Sequence, residues 1–177
     1  MRLLCQDCGY KHSTYFTDSE CACCGSDNLV EKNNSELKIK KLSEDAVIPK
    51  YNLAGDAGFD LSSVADYVVL PGTTVLVKTG LAFEIPANKV ILICPRSGIS
   101  LKTNLRVANA PGVIDSNFRG EVCIIITNIG HQPHFIKKGD RLAQGLLQSV
   151  DTAEFIVVEE LGESDRGSNG FGSSKGF

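Results

Sequence analysis

Five of the seven cysteines fall within the first 24 residues, and their spacing is that of a metal site. Cys5-Gln6-Asp7-Cys8-Gly9 and Cys21-Ala22-Cys23-Cys24-Gly25 are set twelve residues apart, giving C-x2-C-x12-C-x2-C with glycine after each pair. Two intervening residues let both thiolates of a pair reach one ion from a tight turn, and the glycine supplies the backbone freedom that turn needs. Cys5, Cys8, Cys21 and Cys24 around one Zn²⁺ would make a closed tetrahedral site, structural because no position stays open for water. A segment of about 30 residues cannot bury enough core to fold alone, so the ion would supply the folding free energy. Cys23 could replace Cys24 in a shifted register; the repeated Cys-Gly step favours Cys24.

A second chemical signal lies at the other end. Arg166-Gly167-Ser168-Asn169-Gly170-Phe171-Gly172-Ser173-Ser174 combines a fixed cation, small hydroxyls and exposed backbone N–H groups around one aromatic ring. Those are the parts of a phosphate cradle with a base-stacking ring. The plain alternative is a solvated glycine-serine tail.

Between these ends the chain must supply the elements that hold such groups. Its 177 residues fit one medium domain with a small appendage. Hydrophobic residues at 42% and charged ones at 22% give a globular rather than a disordered composition. The net charge of −3 argues against a broad grip on nucleic acid or an anionic membrane. Val90–Cys94 and Val122–Thr127, the longest apolar runs, fall far short of the roughly 18 residues of a membrane span. Met1-Arg2-Leu3-Leu4-Cys5 runs at once into polar Gln6 and Asp7, without a signal-peptide core. An odd cysteine count then points to thiols kept reduced in a cytoplasm, bacterial or that of a virus's host cell. Cys94 and Cys123, alone in apolar runs, read as small buried hydrophobes.

From Glu36 onward short β-branched segments alternate with Gly and Pro. Leu37–Leu42, Tyr67–Leu70, Thr74–Lys78, Leu81–Ile85, Lys89–Cys94, Glu121–Asn128, His134–Ile136, Arg141–Gln148 and Phe155–Val158 read as strands. Ser100–Asn104 offers at most a short helical turn. The expectation is an all-β sandwich or jelly-roll. The divisions are residues 1–32 for the metal-binding head, 36–161 for the β body and 162–177 for a flexible arm, with polar Lys32-Asn33-Asn34-Ser35-Glu36 joining the first two.

Four loops in the β body carry polar clusters: Ala54-Gly55-Asp56-Ala57-Gly58-Phe59-Asp60-Leu61, Pro95-Arg96-Ser97-Gly98-Ile99-Ser100, Asn109-Ala110-Pro111-Gly112-Val113-Ile114-Asp115-Ser116-Asn117-Phe118-Arg119-Gly120-Glu121, and Gly139-Asp140-Arg141-Leu142-Ala143-Gln144. With the glycine-rich tail they form five ordered motifs, and residues 36–177 resemble the trimeric dUTPase family. The head resembles a zinc ribbon and lies outside that family's core pattern.

The resemblance implies a β-clip, jelly-roll barrel and a homotrimer with shared active sites. It implies Mg²⁺-assisted hydrolysis of dUTP to dUMP and pyrophosphate, which limits uracil in DNA and supplies dUMP for dTMP synthesis. Asp115 matches the aspartate that activates the water attacking the α-phosphorus. Arg96, Ser97 and Gly98 match phosphate contacts, and Gln144 matches the glutamine that places water or phosphate. Arg166 resembles the tail arginine over the γ-phosphate, Phe171 the ring over uracil, with Gly172 and Ser173 beside it. Asn109, Gly112, Val113, Ile114 and Asp115 match the hairpin whose backbone reads the base edge, and Cys123 adds a backbone contact. Asp60 matches an aspartate that helps hold Mg²⁺ through water; structural hydrogen bonding in a turn is its equal alternative.

Two positions depart from the family pattern. Phe118 stands where many members carry tyrosine, keeping the ring that excludes a ribose 2′-hydroxyl, and Asn169 stands where glycine is usual. The related dCTP deaminases carry a catalytic glutamate at the position of Ile125, so deamination lacks its base here. For the head, three bases (Arg2, Lys11, Lys32) against five acids (Asp7, Asp18, Glu20, Asp27, Glu31) disfavour DNA binding and leave a stabilising or protein-docking role.

Overall fold

The computed structural model describes residues 3–5, 11–12, 29–31 and 36–170. Cys8, Cys21, Cys23, Cys24, Phe171, Gly172 and Ser173 lie outside these, so the expected zinc ligands beyond Cys5 and the end of the arm fall outside the described residues. The head contributes a three-stranded sheet in the order β2-β1-β3, from β1 (Leu3–Cys5), β2 (Lys11–His12) and β3 (Leu29–Glu31).

The body is nearly all β, as its spacing of Gly, Pro and β-branched runs implies. One four-stranded sheet runs β4 (Lys38–Lys41), β7 (Thr74–Glu84), β11 (Val122–Asn128), β9 (Leu105–Val107). A second runs β10 (Gly112–Ile114), β8 (Lys89–Pro95), β13 (Arg141–Ser149), β5 (Gly58–Ser62). The ribbon β6 (Tyr67–Val69) and β12 (His134–Ile136) completes it, with one helix, α1 (Ser97–Lys102). All the pairings are antiparallel.

Strict alternation sets the core. Along β11, Val122, Ile124 and Ile126 are buried while Cys123, Ile125 and Thr127 are half-buried on the opposite face. The inward residues join Val77, Leu81 and Phe83 of β7 and meet Phe59, Leu61, Ile91 and Ile93 of the other sheet in one cluster. At about 1.5–3 kcal/mol for each fully buried aliphatic or aromatic side chain, this cluster is what holds the two sheets together. Buried Asn128 is satisfied: its amide donates to the carbonyls of Val69 (2.9 Å) and Gln132 (2.8 Å) and accepts from Gly130 N–H (2.9 Å).

Several sequence expectations need correction. Thr74–Lys78 and Leu81–Ile85 are one strand, bent at Gly80, whose φ of 68° only glycine adopts without strain. The bend is held by Gly80 N–H donating to Glu121 Oε1 at 2.9 Å and Thr79 Oγ1 donating to the Val122 carbonyl. β5 and β9, short and interrupted by Gly or polar residues, lie outside the strands that the sequence implies, and β10 falls on the hairpin that the resemblance implies for Gly112–Asp115. The helix starts at Ser97 rather than Ser100. Phe155–Val158 is not a strand, because no edge among the described residues pairs with it; Phe155 is 94% and Val157 98% exposed. Cys94 and Cys123 are half-buried rather than buried. Among the described residues no helix is long and apolar enough to cross a membrane.

Candidate active site

The second sheet brings three of the four body motifs together. Asp60 of β5 and Gln144 of β13 are direct cross-strand partners, and Gln144 pairs on its other side with Cys94 of β8. These residues share the face of the sheet away from the core, since Phe59, Leu61 and Ile93 point inward. One residue beyond β8, Arg96 turns the chain into α1.

Asp60 is the hub of this cluster. Its Oδ1 takes the Nε of Arg96 at 2.7 Å, and its Oδ2 takes Nη1 of Arg141 at 2.9 Å and the amide of Asn52 at 3.2 Å. Arg96 Nη1 also donates to the Arg141 carbonyl at 2.7 Å. One carboxylate between two guanidiniums leaves the cluster with a net charge of +1, an electrostatic bias toward an anion. Ser97 and Gly98 follow immediately, both exposed.

Gln144 reaches toward β8 at the same loop, its Nε2 donating to the Pro95 carbonyl at 2.9 Å. This placement depends on Gly58, because a Cβ there would stand 2.7 Å from Gln144 Oε1.

The Asn109–Asp115 hairpin lies elsewhere. Gly112, Val113 and Ile114 pair with Ile93, Leu92 and Ile91 at the opposite edge of the sheet from β5. Three inter-strand spacings, about 14 Å, separate those edges, and Asp115 sits about 13 Å further along the strand direction than the Asp60–Gln144 row. Asp115 is exposed, and its carboxylate has no hydrogen-bond or ion-pair partner among the described residues. Asn109 folds back on Gly112, its Nδ2 2.9 Å from where a Cβ would sit there. Phe118 is 41% exposed beyond the hairpin. Cys123 is on the other sheet; burial first, and then the charge of Glu121, push its thiol pKa up, so it adds no negative charge near neutral pH. Arg166 is exposed in a turn of its own, with Nε donating to the Asn169 carbonyl at 2.8 Å.

Asp60, Arg96, Ser97, Gly98 and Gln144 are thus brought together, while Asn109–Asp115, Phe118, Cys123 and Arg166 are not brought to them within one chain. Sequence reasoning had no place in the site for Asn52, Gly58 or Arg141. Arg141 lay inside a recognised motif, but simple alternation from Gln144 would have aimed it at the core with Ala143.

Asp60 was the candidate for Mg²⁺. Its two oxygens are already engaged by cations, which leaves no room for direct ligation. Oδ1 has a single partner, so it retains a lone pair that can accept from a metal-bound water, the mode suited to a strongly hydrated ion that rests mainly on phosphate oxygens.

Comparison with known proteins shows the family. A profile of the dUTPase family matches residues 44–175. The deoxyuridine 5'-triphosphate nucleotidohydrolase of Nautilia profundicola is 46% identical over 139 residues, 78% of this chain and 98% of that protein. The enzyme of the same name from Clostridioides difficile is 42% identical over 138 residues, 78% of this chain and 96% of its own length. Among solved structures, a mutant dUTPase of Staphylococcus bacteriophage 80alpha with dUpNHpp is similar with a TM-score of 0.76 and 31% identity, covering 80% of this chain and 99% of that one. A mutant dUTPase from phage phi11 of S. aureus, described with a structural Mg(II) ion, gives 0.68 and 30%, covering 71% and 98%.

Proposed function

This chain belongs to the dUTPase family, which hydrolyses dUTP to dUMP and pyrophosphate, and we propose that it does so at a site assembled from more than one copy of itself. The observation carrying this is a separation along the sheet: Arg96 follows β8 and Arg141 opens β13 at one end of the inner strands, while Asp115 follows Ile114, the partner of Ile91, some five residues or about 17 Å back along β8. A single α-phosphate cannot touch both, but a ring of copies can set one chain's hairpin against its neighbour's Arg96 cluster. Two exposed apolar features fit a trimer. The Ile125–Leu76 cross-strand pair lies on the outer face of its sheet, with Leu76 56% exposed, and the Phe155–Val158 run is bare.

In this reading Arg96, the Ser97 hydroxyl and the Gly98 N–H hold the triphosphate, and Gln144 fixes the attacking water or the α-phosphate. Asp115 takes a proton from that water as its oxygen bonds to the α-phosphorus. The bond from that phosphorus to the bridging oxygen breaks, and pyrophosphate leaves. Mg²⁺ would supply charge neutralisation on the triphosphate, and Asp60 would help hold it through water. The backbone of Asn109 and Gly112–Ile114, with Cys123, reads uracil; Phe118 packs on the deoxyribose; Arg166, Phe171, Gly172 and Ser173 close over the nucleotide. Reading a base edge by fixed donors and acceptors rejects cytosine by mismatch and thymine by its methyl group. Pyrophosphate release is expected from dUTP and to be weak or absent from dCTP, dTTP and UTP measured side by side. Equal release from all four would overturn the specificity.

The head is a separate proposal. β1 ends at Cys5 and pairs antiparallel with β2, which begins at Lys11; in the sequence Cys8 lies between them. Cys5, Cys8, Cys21 and Cys24 would hold one Zn²⁺, in a reducing cytoplasm, in a lobe that does no chemistry but can dock a protein partner. Metal analysis of protein purified without chelators should give one zinc per chain. Deleting residues 1–32 spares β4, which pairs with β7, so dUTP hydrolysis should be largely unchanged. An assembled but inactive truncated protein would show that the head reaches the site.

A further inference from the structure

We propose that Arg141 is a positioning residue for the phosphate loop, acting through Asp60 on Arg96. The proposal rests on the reading of Arg96 as a triphosphate contact. The first observation is a β-bulge. Arg141 opposes Ser62 and Ala143 opposes Leu61, which leaves Leu142 as an extra residue on β13. Leu142 and Ala143 are consecutive, yet both are buried, at 2% and 0% exposure. Without the bulge, Arg141 would share the inward face of Ala143; with it, the guanidinium returns to the face of Gln144 and Asp60. Bulges of this kind re-aim a side chain.

The second observation is the geometry of the carboxylate. Arg141 Nη1 at 2.9 Å and Asn52 Nδ2 at 3.2 Å grip the same oxygen, Oδ2. A planar carboxylate pinned at one oxygen has the other fixed too, and Oδ1 then meets Arg96 Nε at 2.7 Å. With Nε held there and Nη1 on the Arg141 carbonyl, the Arg96 guanidinium is fixed in plane, and its Nη2 has no partner among the described residues. Asp60 also separates two like charges that would otherwise repel. Arg141 therefore lets three strands present one cation in one orientation, which lowers what binding must spend on ordering it.

The test is a double-mutant cycle on the full-length protein, with steady-state kinetics of pyrophosphate release from dUTP. Arg141→Ala should raise KM for dUTP by roughly tenfold, the scale of one charge-assisted hydrogen bond, and change kcat much less. The half-saturating Mg²⁺ concentration should stay where it is in the wild type. Arg96→Ala should weaken binding more, and adding Arg141→Ala to it should change KM by less than about twofold, because the two act in series. Asp60→Asn, which keeps the side-chain shape, should absorb the Arg141 effect in the same way. A full tenfold effect of Arg141→Ala in the Arg96→Ala background would overturn the proposal, as would a loss confined to kcat. Thermal melts of each variant separate misfolding from mispositioning; Arg141 is 53% exposed at its side chain, so its truncation opens no core cavity. Failure of the wild type to release pyrophosphate would strike the functional reading instead.

Discussion

Asp115→Asn is expected to lower kcat for dUTP hydrolysis by roughly 10²–10⁴, with KM changed by no more than a few-fold. Asparagine keeps the shape and can still hold a water, but it cannot take the proton. The substitution removes no native contact, since the Asp115 carboxylate has no partner among the described residues, so the melting temperature should not move. Steady-state pyrophosphate release beside a thermal melt checks both halves, and near-normal turnover would remove Asp115 from the role. The separation along the sheet adds a stronger consequence. Co-expressing Asp115→Asn chains with Arg96→Ala chains should restore activity, because some sites then take both intact residues from different copies. For equal random mixing in a ring, roughly a quarter of the sites are intact. No recovery in mixed assemblies would mean that one chain supplies both groups.

What the sequence disclosed follows from how local each cause is. The inward set of β11 is readable because Val122, Ile124 and Ile126 repeat at the strand period without interruption. β7 reads as two strands because Thr79-Gly80 looks like punctuation; its continuity depends on Glu121 and Val122, 41 and 43 residues away. Phe155–Val158 has strand-forming residues and no strand, since a ladder needs a second edge and none among the described residues pairs with it. β5 hid inside a motif because Gly58 and Asp60 argue against a strand, and both are there for the site. Motif order placed Asp60, Arg96 and Gln144 at one centre. Arg141 was invisible in that role because a single extra residue, Leu142, reverses its face, and alternation cannot report a bulge.

Ending the chain at Asp165 should reduce kcat/KM for dUTP by at least about 10²-fold, the scale set by losing a cation and a ring that close over a reacting phosphate. The assembly should survive. Among the described residues, the buried core cluster and its supporting contacts reach no further than Leu147, and Arg166 bonds only within its own turn, to Asn169. The bare apolar run Phe155–Val158 and Leu161 remain in the truncated chain, so any surface they cover on a neighbouring copy is still covered. Light scattering should therefore report the same trimer and calorimetry nearly the same melting temperature, with activity alone removed. Two results would break this account in different places. Full activity would make the arm a solvated tail with no part in closure. Dissociation into monomers would place the arm's contribution in the interface, and the loss of activity would then follow from separating the Asp115 hairpin from its neighbour's Arg96 rather than from an open site.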